Sequence, residues 1–310
     1  MKRAVSISLG SSTRDKRVEV DFKGERVIVE RIGTDGDVEK AKRLYHELDD
    51  QVDAFGVGGV DLYLRLESRE YPLRAALKLV EGVRSPCVDG RGLKHTLERR
   101  VFELAQPLLE GILSGFEGPH FRQAFIPVAI DRLGLAQAAA EVSDRIVLGD
   151  LMVALGIPIP VQGLTAFKRL ARILLPIVSY FPMSMLFYGS SGAERQPKYL
   201  KFWQESELLA GDFLFMRTYV ADDLTGKTVI TNTTTEANLE FLRERGVRLV
   251  ITTTPRYEGR TFGTNMMEAA LTAYAGKGRP LTDTELNTLI DELELRPTVT
   301  QLNPPNSEVS

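Results

Sequence analysis

Short apolar runs that end in Gly, Ser, Thr or Asn and hand over to helical patterns recur along the whole chain. That alternation constrains the fold more than any other feature. Residues 4–9, 52–57, 145–148, 228–231 and 247–253 each read as a strand. Runs this short and this apolar suit strands buried on both faces. Strands joined through helices run parallel. The expectation is therefore an α/β fold, with mostly parallel sheets flanked by helices and a Rossmann-like C-terminal part.

The N-terminal part carries a different signal as well. Val18, Val20 and Phe22 alternate with Arg17, Glu19 and Asp21, Lys23-Gly24 makes a turn, and residues 26–32 return. This pattern predicts a hairpin. A helix through Asp50 places Ala41, Leu44, Tyr45 and Leu48 on one stripe. Further strands are expected over 61–66, 86–88, 121–125 and 213–219, and helices over 73–83, 93–113, 128–140, 235–245, 262–275 and 283–295. Between about 151 and 211 the chain is apolar and helical in pattern, punctuated by Pro158, Pro160, Pro176 and Pro182. The pattern shift suggests an N-terminal α/β domain over 1–148, a helical middle with a Rossmann-like domain over 149–296, and a flexible tail over 297–310.

Composition narrows the function classes. A net charge of −3 over 310 residues gives no overall basic field for nucleic acid. One cysteine, Cys87, excludes an internal disulfide framework and fits a reducing, cytoplasmic setting. The three histidines, His46, His95 and His120, lack zinc spacing, so no metal site is expected. The N-terminal apolar run is too short for a signal peptide and reads as the first strand. From Ile173 to Ala193 there is no charged residue, but Pro176, Pro182 and two glycines interrupt the run. A buried helix and turn explain it better than a membrane span, and a homodimer is left open.

Two threonine-rich segments follow strands and precede helices. In the first, Asn232, Thr233, Thr234 and Thr235 could cap the next helix or, with its backbone amides, hold an anion. In the second, Thr252, Thr253 and Thr254 lead to Arg256, Arg260 and Asn265. In a parallel sheet both loops emerge on one edge and could face one ligand, with the arginines taking a carboxylate or phosphate; a plain polar loop remains the alternative. A third segment, Asp89-Gly90-Arg91-Gly92-Leu93-Lys94-His95, opens a helix with positive charge in its first turn, where the helix dipole disfavours it. Lys94, with Asp89 as partner, could move a proton if burial depresses its pKa; a surface lysine is the plainer reading. Gly10-Ser11-Ser12-Thr13 reads as a turn, and Gly56-Val57-Gly58-Gly59 matches a dinucleotide loop only in its glycines, since a strand pattern follows it.

Several stretches together resemble bacterial quinate/shikimate 5-dehydrogenases: residues 6–12, 31–37, 55–61, 88–99 and 251–268. The likeness runs over nearly the whole chain. It implies an oxidoreductase that uses NAD or NADP on a cyclic polyol acid, with a lysine–aspartate pair moving the proton. In shikimate dehydrogenases an Asn-x-Thr-x-Pro-x-Lys stretch accompanies that pair; around Thr253-Thr254-Pro255 this chain has Ile251 and Tyr257 at the asparagine and lysine positions. Set beside it is a non-redox protein that binds a phosphorylated small molecule through the threonine loops.

Overall fold

The computed structural model describes residues 1–113, 118–186, 195–257 and 260–304. The chain forms two α/β units, each assembled from three separate stretches. The first takes Met1–Leu97, Lys168–Ala193 and Phe262–Leu295; the second takes Glu98–Phe167, Glu194–Thr261 and Arg296–Ser310.

The first unit contains β1 (Lys2–Ser8), β2 (Lys16–Phe22), β3 (Glu25–Gly33), β4 (Ala54–Gly58), β5 (Tyr63–Leu66), β6 (Arg69–Pro72) and β7 (Cys87–Val88). Its main sheet has the order β2-β3-β1-β4-β7, and β5 pairs with β6 in a small hairpin. Strands β3, β1, β4 and β7 run parallel. The predicted β2–β3 hairpin is present and antiparallel. Its turn residues Lys23 and Gly24 both have positive φ, 53° and 89°, the geometry that matches strand twist in a tight hairpin. The central strands β1 and β4 are buried on both faces, which their unbroken apolar and small residues allow.

The helix Thr264–Ala275 packs on β1 and β4. Met266, Met267, Ala269, Ala270 and Leu271 in that helix are all buried, so it is enclosed on every side. Its approach to the sheet needs a glycine. A β-carbon at Gly56 would stand 2.8 Å from the carbonyl oxygen of Asn265.

The second unit contains β8 (Phe121–Ile126), β9 (Ser143–Leu148), β10 (Val161–Gln162), β11 (Leu208–Ala210), β12 (Thr228–Thr231), β13 (Leu249–Thr252), β14 (Arg256–Tyr257), β15 (Arg260–Thr261) and β16 (Thr298–Gln301). The seven-stranded sheet has the order β10-β9-β8-β11-β12-β13-β16. Its five inner strands are parallel, while β10 and β16 are antiparallel edges. Trp203 anchors the core against the edge of Phe125 at 4.8 Å, and its indole N–H donates to the Lys198 carbonyl at 2.9 Å. Leu209, Met216, Val229 and Val250 complete that cluster.

Five expectations change. Residues 213–219 form a helix, Phe213–Tyr219, and not a strand; Asp212 caps it by accepting from the Leu214 amide, and the strand is the shorter β11 just before. The long helix expected over 93–113 is two helices, Arg91–His95 and Val101–Ile112, interrupted where the chain passes between units. The helix expected over 73–83 shrinks to Arg74–Leu77. The boundary expected at 148 falls inside the second unit, where β9 pairs with β10. Part of the expected tail is β16, held on β13; residues 305–310 lie outside the described residues.

The Gly56 contact yields a test. Gly56→Ala should cost about 1–3 kcal/mol of unfolding stability, since the crowding atom is backbone and the enclosed helix must shift. Urea unfolding measures this, and an unchanged midpoint contradicts the packing described.

Candidate functional site at the carboxyl ends of the strands

Open α/β sheets take ligands beyond the carboxyl ends of their strands, where the strand order reverses. In the second unit the chain leaves β8 for β9 on one side and later places β11 on the other, so the reversal falls between β8 and β11. A charged side chain follows each of these strands. Arg132 ends the turn Ile130–Arg132 after β8, and Asp212 follows β11 through Gly211.

The Arg132 Nη2 donates to Asp212 Oδ2 at 3.0 Å across that point. Its Nη1 donates to Glu98, and its Nε faces Asp131 Oδ2 at 3.7 Å. Asn232 Nδ2 donates to the same Asp212 oxygen at 3.0 Å. Arg132 and Glu98 are sealed, with side chains 3% and 0% exposed, whereas Asp212 keeps 22%. Asp212 is thus the member of this network that meets solvent. After β9, Asp150 accepts from the Ala129 and Ile130 amides. Burial pushes its carboxyl up to about 7, and the neighbouring Asp131 charge adds to the rise.

The two threonine loops converge on this edge, as expected. The hydroxyls of Thr234 and Thr252 are 3.1 Å apart, and Thr254 Oγ1 donates to the Asn232 carbonyl at 2.8 Å. Thr253 Oγ1 donates to Glu98 Oε1 at 3.5 Å. Thr233 Oγ1 and the Thr234 amide both meet the Thr261 hydroxyl at 2.8 Å. Thr235 caps the helix Glu236–Arg243 by accepting from the Asn238 amide. The hydroxyls therefore bind the loops to each other. Arg256 pairs with Glu236 at 3.1 Å. Arg260 pairs in β15, and its side chain lies outside the described residues.

In the first unit Lys94 is buried as part of a charged cluster, and not exposed. Its ammonium donates to Asp61 Oδ1 at 2.6 Å, with both side chains under a tenth exposed. The expected Lys94–Asp89 couple is corrected by this arrangement. Asp89 instead holds backbone: Oδ2 accepts from the Leu62 amide at 2.7 Å and the Tyr63 amide at 3.2 Å, and Oδ1 from the Arg91 amide at 3.0 Å. Glu268 reaches in from the enclosed helix and accepts from the Leu93 amide at 3.0 Å. Burial, then the Asp89 charge, raises the Glu268 carboxyl to about 7. Burial also lowers His95 to about 4, aided by Arg65, which leaves its imidazole neutral. Asn265 donates to Ser6 Oγ at 2.6 Å and so belongs to this unit. Gly56-Val57-Gly58 lies within β4 and opens no helix.

Sequence reading missed Glu98, Arg132, Asp150, Asp212, Asp61 and Glu268. Asp150 stands just past a strand pattern, and that position was the available signal. Asp212 was hidden by the strand expected over 213–219, and Arg132 by a helix expected over 128–140. Among the described residues, no group of three or more His, Cys, Asp or Glu side chains is placed to hold a metal ion.

The fold and these edges define an α/β protein with charged clusters at strand carboxyl ends. The chain belongs to the family described as domain of unknown function DUF8754, whose model matches residues 92–302. A second model, domain of unknown function DUF8753, matches residues 3–89. No curated protein matches. Among solved structures, a Mycobacterium smegmatis protein in complex with β-D-fucofuranose is 12% identical over 97% of this chain and 99% of its own, with a TM-score of 0.32. A Burkholderia multivorans ABC-transporter solute-binding protein is 14% identical over 96% and 98%, with a TM-score of 0.33. Entamoeba histolytica malic enzyme is 12% identical over 82% of this chain and 51% of its own, with a TM-score of 0.34. At such scores none of the three bears on fold or function.

The raised carboxyls predict a pH dependence. An unfolded glutamate releases its proton near 4.5, whereas folded Glu268 holds it to about 7. Between those values the folded chain binds more protons, so the Glu268 contribution to stability falls as pH rises through the window. Asp150 acts in the same direction from its ordinary 3.8 to about 7. Glu268→Gln should flatten that slope, read as unfolding midpoints at pH 5 and pH 7.5. A slope identical to wild type contradicts the burial of an ionisable Glu268.

Proposed function

We propose that this chain binds a small polyhydroxylated molecule at the carboxyl edge of its seven-stranded sheet. The Arg132–Asp212 bond across the strand-order reversal carries this reading, because it sets a solvent-reaching carboxylate where such sheets take ligands. Asp212 accepts from ligand hydroxyls. Around it Glu98 and Asp131 outnumber the Arg132 charge, which disfavours a phosphate dianion at this spot. The hydroxyl face of a cyclic polyol acid such as quinate or shikimate suits the edge, with its carboxylate directed toward Arg256. The single cysteine, the half-buried Cys87, fits a reducing cytoplasmic setting.

One observation favours a second reading, oxidation of such a polyol with NAD or NADP. Lys94–Asp61 is a buried lysine–aspartate couple of the kind the dehydrogenase resemblance implies, with Asp61 in place of Asp89.

Thermal unfolding with quinate, shikimate and neutral cyclic polyols tests the first reading. A native-state ligand at ~100 times its Kd adds ~2.7 kcal/mol, a clear upward shift. Asp212→Asn should weaken that binding by roughly 10- to 100-fold, the loss expected for a charged hydrogen bond. Stability unmoved by every polyol contradicts the reading. The second reading requires reduction of NAD or NADP in the presence of the shifting polyol, abolished by Lys94→Met; no reduction with either cofactor leaves binding without redox chemistry.

A further inference from the structure

The helix Leu164–Val178 has two apolar faces. Ala171, Leu175 and Ser179 follow at intervals of four and are buried. Ile173 and Ile177 lie on the opposite side and stand 68% and 58% exposed. Just beyond the helix, Tyr180 and Met185 are 67% and 57% exposed. Isolated exposed apolar residues are ordinary, but four this large within one short stretch are not. A helix apolar on both sides expects an apolar environment on both.

The charge around this face is mostly positive. Of the 42 acidic residues in the chain, none falls between Asp150 and Glu194, whereas Lys168, Arg169 and Arg172 do lie there. The Arg74 guanidinium sits 4.3 Å over the Tyr180 ring, adding another cation at the same place. Glu67 reaches in from β5–β6 to pair with Lys168 and Arg172 and offsets part of that charge. A second copy of the chain would oppose this basic rim to itself. An anionic surface complements it.

We propose that the Ile173–Ile177–Tyr180–Met185 face docks in-plane on an anionic lipid surface. The isoleucines enter the acyl boundary, Tyr180 sits at the headgroup level, and Arg74 and Arg169 meet lipid phosphates and carboxylates. Among the described residues no helix is long and apolar enough to cross a membrane, so the contact is peripheral. This face is made of other residues than the polyol edge, and the proposal stands whatever that edge binds.

Sedimentation of the full chain with vesicles tests it, comparing phosphatidylcholine alone with a three-to-one mixture of phosphatidylcholine and phosphatidylserine. The expected result is binding to the mixed vesicles at low salt, weakened by added salt and by removal of phosphatidylserine. Ile173→Glu with Ile177→Glu should cut the bound fraction by at least ~10-fold, since two exposed apolar side chains no longer enter the bilayer. Both positions are exposed, so thermal stability serves as the folding control. Arg169→Glu keeps the apolar face and should remove the preference for the anionic vesicles. Wild-type protein that stays in the supernatant overturns the proposal. So does binding that survives the double substitution, or a solution dimer that the double substitution dissociates.

Discussion

The second unit depends on one buried guanidinium. Arg132 is surrounded by Glu98, Asp131 and Asp212, and a charge so enclosed persists only where its partners are fixed. Those partners come from distant parts of the chain. Glu98 opens the unit, Asp212 follows β11, and Asn232 and Thr253 join from the loops after β12 and β13. Removing the cation would leave carboxylates buried and unbalanced, a loss of several kcal/mol by analogy with other buried pairs. The loops at the carboxyl edge are therefore positioned by electrostatics as much as by the apolar core beneath them.

The first unit solves a related problem in the same way. Where parallel strands end and helices begin, backbone amides lose their partners. Asp89 takes three of them, and Glu268 takes one at Leu93. In the second unit Asp150 and Asp212 serve the amides of 129, 130 and 214. Such carboxylates are structural and, where solvent reaches them, able to take a ligand. Their burial is also what lifts Glu268 and Asp150 toward neutrality.

The sequence made the α/β class, the β2–β3 hairpin and most parallel strands legible, because period-two alternation and short apolar runs depend on local burial alone. It also placed the threonine loops on a common edge. It did not separate Phe213–Tyr219 from a strand, since seven mostly apolar residues carry no decisive period. The division into units was hidden because each unit is built from non-contiguous stretches. The pairing of Lys94 with Asp61 was hidden for a similar reason: Asp89 is nearer in sequence, yet the backbone amides of 62, 63 and 91 claim it first. Arg132 looked like any residue of an amphipathic helix, and only the strand order shows that it stands at the reversal.

Amide hydrogen exchange with and without a bound cyclic polyol tests most directly whether the seven-stranded edge is the ligand site. Protection concentrated in residues 127–132, 211–214 and 231–235 is the result this account predicts. Protection confined to residues 58–63 and 89–95 of the first unit, or none in either place, would contradict it.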